Sequence, residues 1–118
     1  MLFRSRNSPL EDTELTNSEK NIIENIEKLS EDVYAIVVEP IQANNGVYTF
    51  SKSFLKELKK LTLKNDICLI FDEIQTGLGL TGKMWAYEHH DTTPDIMCFG
   101  KKVQVSGICA GKIGRAHV

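Results

Sequence analysis

Two short apolar runs that each end abruptly on polar residues constrain the fold of this chain more than any other feature. The first run, residues 67–71, stops at Asp72, and the second, residues 96–99, stops just before Gly100 and Lys101. Short apolar runs bounded by turn residues are typical of buried parallel strands. In open α/β sheets, functional groups lie at the carboxyl ends of such strands. The sequence therefore predicts a sheet with an acid and a lysine at one edge.

Helical and extended patterns alternate along the rest of the chain. Two stretches carry apolar side chains at helical spacing behind a Ser or Asn that suits an N-cap. We therefore predict an α/β fold, a partial parallel-rich sheet flanked by helices on both faces. The predicted elements are helices capped by Asn17 or Ser18 and by Ser51, a short helix over 83–90, and strands over 33–38, 67–71, 96–99 and 107–111.

Composition is that of an ordinary globular chain, with 42% hydrophobic and 25% charged residues. A net charge of −2 gives no reason to expect a nucleic-acid or membrane partner. The three cysteines are odd in number and lie in apolar runs, so we expect buried free thiols and a cytoplasmic location, with organellar targeting left open. The adjacent His89 and His90 cannot share one helix face as paired metal ligands do, so no metal site is expected.

The groups at the two strand ends suit one kind of cofactor. Pyridoxal phosphate withdraws electrons only while its ring nitrogen stays protonated, and a carboxylate partner such as Asp72 keeps it so. Ile74 shares the face of Asp72 by strand alternation and is expected to pack on the ring. Gln75 lies in the following turn, where its amide can hydrogen-bond the phenolic oxygen. Lys101 offers the amine that an aldehyde cofactor requires.

Several segments between residues 33 and 111 resemble the class III pyridoxal-phosphate-dependent aminotransferases. The matching segments are Val38-Glu39-Pro40-Ile41-Gln42, 71–77, 80–85, Pro94-Asp95-Ile96 and Phe99-Gly100-Lys101-Lys102. No single segment is specific to this family, although the set of segments taken together is. Within the class, residues 100–107 look most like the L-lysine 6-aminotransferases, and the 4-aminobutyrate aminotransferases are next.

The resemblance implies a piece of the large domain of a fold-type-I enzyme and a role for each site residue. It implies that Lys101 forms the Schiff base with the cofactor, Asp72 pairs with the ring nitrogen and Gln75 contacts the ring oxygen. Glu39 matches a glutamate whose pairing with an arginine helps the family switch substrates. The implied reaction moves the terminal amino group of an ω-amino substrate, with L-lysine favoured, onto 2-oxoglutarate in a homodimer. 4-Aminobutyrate or another ω-amino acid is the alternative donor.

Two motifs in the same stretch suggest a nucleotide-binding α/β module instead. Residues 77–82 fit G-x-G-x-x-G after a strand, but the next strand ends at Lys101 and not at the acid that would hold a ribose. Residues 69–73 resemble a Walker B strand. However, the glycine loop that ends at Lys83 follows the acid, and Met84 replaces the magnesium-binding Ser or Thr. Both matches are weaker than the aminotransferase resemblance.

Members of the resembled family run to several hundred residues, so we expect this chain to be a fragment of one. Residues 1–111 are expected to lack the groups that grip the phosphate and cover the other ring face. Residues 112–118 follow no family pattern and back-translate into the start of a common sequencing adapter, so we expect them not to be native. The fragment alone is expected to be inactive, and a non-catalytic piece is the alternative from another class.

Overall fold

The computed structural model describes residues 14–44 and 46–111. The tail expected to come from an adapter, residues 112–118, lies outside the described residues. The helices are α1 (Asn17–Leu29) and α2 (Lys52–Lys64), with short 3-10 helices at Ser30–Asp32 and Ala86–His89. The strands are β1 (Ala35–Val38), β2 (Ile41–Gln42), β3 (Tyr48–Thr49), β4 (Cys68–Asp72), β5 (Ile96–Phe99) and β6 (Gly107–Ala110).

One four-stranded sheet, in the order β1-β4-β5-β6, organises the described residues. β4 is parallel to both of its neighbours, and β6 is antiparallel to β5. α2 connects β1 to β4, as a parallel pair requires, whereas the short connection 100–106 allows β6 to return beside β5 as a hairpin. β2 and β3 form a separate two-stranded ribbon. The predicted parallel-rich sheet flanked by helices is confirmed.

The core lies between the helices and one face of the sheet. Five side chains at its centre are at most 2% exposed: Phe54, Leu55 and Leu58 of α2, and Leu69 and Phe71 of β4. Burying each side chain of this size contributes about 2 kcal/mol of hydrophobic free energy. Ile23 and Ile26 of α1 pack against the same cluster. The apolar stripes read from the sequence are therefore the faces that the two helices bury.

The opposite face of the sheet is not covered by α1 or α2, contrary to the expectation of helices on both faces. Strand alternation and register place Val37, Asp72 and Ile108 on that face. Val37 is 64% exposed and Ile108 is 69% exposed. The hydrophobic pattern of a helix fixes which side it buries, but it does not say against which face of a sheet. Asp72 thus lies on the open face.

Both helices begin at side-chain caps, and one buried carboxylate joins the two caps. Thr16 is the N-cap of α1, one residue before the predicted Asn17, and Ser51 caps α2 as predicted. Glu19, which is 1% exposed, accepts hydrogen bonds from Thr16 N (2.9 Å), Ser51 N (2.9 Å) and Ser51 Oγ (3.1 Å). Glu19 therefore fixes the start of α2 relative to α1.

Within residues 14–44 and 46–111, no helix combines the length and apolar character needed to cross a membrane.

Replacing Glu19 with alanine is expected to loosen both helix starts. The change leaves backbone N–H groups of Thr16 and Ser51 without a partner, so the free energy of local opening falls by about 2 kcal/mol. Hydrogen–deuterium exchange on the full-length protein measures this as faster exchange in the first turns of both helices. Glu24→Ala, at an exposed position of α1, is the control. Faster exchange in the first turn of α1 alone would contradict the bridging role.

Candidate functional site

The carboxyl ends of three parallel strands lie at one edge of the sheet. Glu39 follows β1, Asp72 ends β4, and Lys101 follows β5 after one glycine. The register pairs Val38 with Phe71 in the first two strands, and Asp72 with Cys98 in the next two. Because parallel strands in register end together, two carboxylates and an amine separated by many residues in sequence become neighbours.

A cleft of about 110 Å³ lies at this edge. It is lined by all five predicted site residues and by two others: Glu39, Asp72, Ile74, Gln75, Lys101, Ala43 and Asn44. A larger, mostly apolar cavity of about 300 Å³ beside β1 shares Glu39 and Asp72 with the cleft but does not include Lys101. The structure thus brings the predicted residues together, while their chemical roles stay predictions.

The lysine and the glutamine of the cleft are in direct contact. Lys101 Nζ donates a hydrogen bond to Gln75 Oε1 at 2.5 Å. The backbone of Lys101 has φ +59°, in the left-handed region that side chains other than glycine rarely adopt. A Cβ at Gly100 would lie 2.8 Å from Ser106 Oγ, so a larger residue before the lysine would require the Ser106 side chain to move. The turn after β5 therefore directs the Lys101 amine toward the turn after β4.

Asp72 is held by the backbone that follows it. Its Oδ1 accepts a hydrogen bond from Ile74 N at 3.0 Å, a local contact that orients the carboxylate at the end of the strand. Within residues 14–44 and 46–111, the other carboxylate oxygen has no hydrogen-bond partner in the structure. That oxygen is available to a cationic group placed in the cleft.

A buried glutamate that the sequence reasoning left without a role anchors the turn that carries Gln75. Glu73 is 1% exposed, and its carboxylate accepts hydrogen bonds from Thr76 Oγ1 (2.7 Å), Ala86 N (2.8 Å) and Tyr87 N (2.8 Å). It therefore ties the turn to the 3-10 helix Ala86–His89, which is shorter than the helix predicted over 83–90. The signal in the sequence was a second acid after the strand, three residues before a threonine.

Ala43 and Asn44 line the cleft and were also not predicted as site residues. They follow β2, whose pairing with β3 folds the segment after Glu39 back toward the sheet edge. Their turn-forming composition predicted a loop at this position but gave no information about where the loop lies. The signal in the sequence was a turn-forming pair four and five residues after the strand-end acid Glu39.

The groups that converge in the cleft fit pyridoxal phosphate. An amine, a carboxylate with an available oxygen and an amide lie together with an aliphatic side chain, Ile74. These match the cofactor's aldehyde, its basic ring nitrogen, its phenolic oxygen and its apolar ring face. Lys101 is the only cationic side chain among the described residues that line the cleft, so the cleft offers the phosphate no second cationic side chain.

The cysteines are free, and they are not all buried as expected. Cys68 and Cys98 are partly buried, whereas Cys109 on the edge strand β6 is exposed. Burial raises the pKa of the Cys68 thiol, and the carboxylate of Asp95 raises it further, so Cys68 is a poor nucleophile at neutral pH.

His90 is a buried neutral side chain outside the cleft. It is 2% exposed, and burial lowers its pKa to about 4, with smaller contributions in the same direction from the neighbouring His89 and Lys52. Its Nδ1 has no hydrogen-bond partner among the residues that the structure describes.

Within the described residues 14–44 and 46–111, no three His, Cys, Asp or Glu side chains are grouped so as to hold a metal ion.

A family model and two curated relatives match the sequence of this chain. The family model "Aminotransferase class-III" matches residues 3–118. The L-lysine-epsilon aminotransferase of Mycobacterium tuberculosis is 48% identical over 81 residues, which make up 69% of this chain and 18% of that protein. The 4-aminobutyrate aminotransferase of Emericella nidulans is 38% identical over 117 residues, covering 92% of this chain and 24% of that protein.

A solved structure shares the fold of the described residues. The lysine aminotransferase from M. tuberculosis in the internal aldimine form superimposes with a TM-score of 0.77 at 38% identity. The match covers 89% of this chain and 26% of that chain. This chain spans about a fifth of the length of the relatives that it matches, 21% and 18% in two of them.

Proposed function

The chain belongs to the class III aminotransferase family, and from that premise we propose that its full-length protein transfers the terminal amino group of an ω-amino substrate to 2-oxoglutarate. The family's cofactor is pyridoxal phosphate, and L-lysine is the proposed amino donor. One observation carries the proposal: the Lys101 amine, the Asp72 carboxylate and the Gln75 amide converge in one cleft at the sheet edge.

Bound pyridoxal phosphate supplies an electron sink for the carbon that bears the transferred nitrogen. Asp72, oriented by the Ile74 N–H, would keep the ring nitrogen protonated and so maintain that sink. Lys101 Nζ would hold the cofactor through its aldehyde carbon. Once the substrate nitrogen had replaced it there, the freed amine would take a proton from the substrate carbon and return one. The two residues come from adjacent strands, so the sheet sets the distance between the acid and the amine.

The remaining residues of the cleft orient the reacting groups. The Gln75 amide, in contact with Lys101 Nζ, would hydrogen-bond the ring oxygen, and Ile74 would pack on the ring. Glu39 lines the cleft beside Asp72 and Asn44, where its carboxylate can meet either substrate or a cation from another part of the protein. The family resemblance implies that this cation is an arginine whose pairing with Glu39 helps the enzyme switch between substrates.

The described residues supply one side of such a site. The phosphate partner and the cover for the second ring face are proposed to come from the rest of the full-length chain and from a second subunit of a homodimer. The open sheet face that carries Asp72, with Val37 and Ile108 exposed, supports this proposal because a stable protein covers an apolar sheet face.

The choice of donor rests on the relatives and is directly testable. L-Lysine and 4-aminobutyrate both present an unbranched terminal amine, and aminotransferases named for each of them are similar to this chain. With 2-oxoglutarate as acceptor, we expect kcat/KM for L-lysine to exceed that for 4-aminobutyrate by about tenfold or more. The measurement is formation of glutamate by the full-length protein, with 2-oxoglutarate omitted as the control. A preference for 4-aminobutyrate would select the second donor, and no glutamate from any ω-amino donor would contradict the proposed activity.

A further inference from the structure

The lysine that follows Lys101 makes two contacts with the turn after β4. Lys102 Nζ lies 2.6 Å from the backbone oxygen of Gln75 and 2.9 Å from that of Gly77. An ammonium group has three donors, so it can hold both carbonyls at once. Resting on the proposed function, we infer that Lys102 is a positioning residue that holds the Gln75 turn in the place where the amide meets Lys101.

The contacts inside the turn leave the Gln75 carbonyl to Lys102. On the inner side, Glu73 accepts from Thr76 Oγ1 through its carboxylate and from Gly77 N, at 2.8 Å, through its backbone oxygen. These bonds fix the two ends of the turn. The carbonyl of Gln75 points instead toward the loop after β5, where Lys102 is the side chain that reaches it.

The two adjacent lysines hold one residue at two points. Lys101 Nζ contacts the side-chain oxygen of Gln75, and Lys102 Nζ contacts its backbone oxygen. Successive side chains usually point apart, but here Lys101 has φ +59° and the Lys102 N–H donates to Gly100 O at 2.7 Å. This tight turn directs both amines toward Gln75. Fixing the backbone as well as the amide restricts where the amide can lie relative to the cofactor.

Removing the Lys102 ammonium should therefore weaken cofactor binding without unfolding the protein. In the full-length apoenzyme, we expect Lys102→Met to raise the Kd for pyridoxal phosphate about fivefold, the effect of losing a hydrogen-bonded charge at a partly exposed position. The thermal midpoint should stay the same, because Lys102 is exposed. Lys102→Arg keeps donors at the same place and should restore the wild-type Kd. Lys83→Met is the matched control, because Lys83 Nζ also donates to one backbone carbonyl, that of Glu88.

A second background tests whether Lys102 acts through Gln75. In Gln75→Ala there is no amide to position, so Lys102→Met should change the Kd by less than about twofold. An equal effect in both backgrounds, or no effect in the wild type, would overturn the inference. A wild-type protein that does not bind pyridoxal phosphate would instead contradict the proposed function, so the two failures are distinguishable.

Discussion

Lys101→Ala in the full-length protein is expected to abolish covalent attachment of pyridoxal phosphate and to lower kcat by about four orders of magnitude. The Lys101 amine is proposed both to attach the cofactor and to move the proton, so alanine removes two functions at once. The thermal midpoint should change little, because Lys101 is exposed and its amine contacts the polar side chain of Gln75. Steady-state kinetics and the absorbance of the bound cofactor measure the two losses separately.

Two further variants show whether the amine itself is required. Lys101→Arg keeps a cation near Gln75 but has no amine that can attach to an aldehyde, so it should be as inactive as Lys101→Ala. Lys83→Ala, an exposed lysine outside the cleft, should behave as wild type. An active Lys101→Arg variant would show that the charge is sufficient, and the assignment of Lys101 as the attachment residue would be wrong.

Asp72→Asn is expected to lower kcat about a thousandfold while the Kd for pyridoxal phosphate changes less than about tenfold. The asparagine oxygen can still accept the hydrogen bond from Ile74 N, so the end of β4 keeps its shape. What is lost is the negative charge that keeps the ring nitrogen protonated. Most of the cofactor's affinity should survive, since its phosphate is proposed to be held by groups other than Asp72.

Single-turnover kinetics on the Asp72→Asn holoenzyme measure directly how much the rate of the chemical step falls. Asp91→Asn is a suitable control, because Asp91 is an exposed acid whose side chain pairs with Lys52 outside the cleft. Turnover near the wild-type rate in Asp72→Asn would refute the pairing with the ring nitrogen. A large loss of cofactor affinity with normal turnover would instead indicate that Asp72 acts only in binding.

The positions of the strand ends could be predicted because local composition determines them. The apolar runs before Asp72 and Gly100 are long enough for a strand and too short for a helix, and both became strands. Parallel pairing then brings their carboxyl ends together, so the meeting of Asp72 and Lys101 follows from topology. Ser51 as a helix cap was predictable for the same local reason.

The contacts that depend on tertiary packing could not be predicted from local patterns. Glu73 was given no role from the sequence, and its burial depends on a 3-10 helix that begins at Ala86. Glu19 lies in the first turn of α1, and its second partner, Ser51, is the N-cap of the other helix. The face of the sheet that each helix covers is likewise set by the connections between elements. Hydrophobic periodicity carries no information about it.

The attachment site of the cofactor is the most direct test of the central claim. The full-length protein would be incubated with pyridoxal phosphate, reduced with borohydride and digested, and the modified residue located by fragment-ion mass spectrometry. The account predicts the reduced cofactor on Lys101, with Lys102 unmodified and no label on the same peptide from Lys101→Ala. Label on Lys102, on a lysine outside residues 96–111, or on no lysine at all would contradict it.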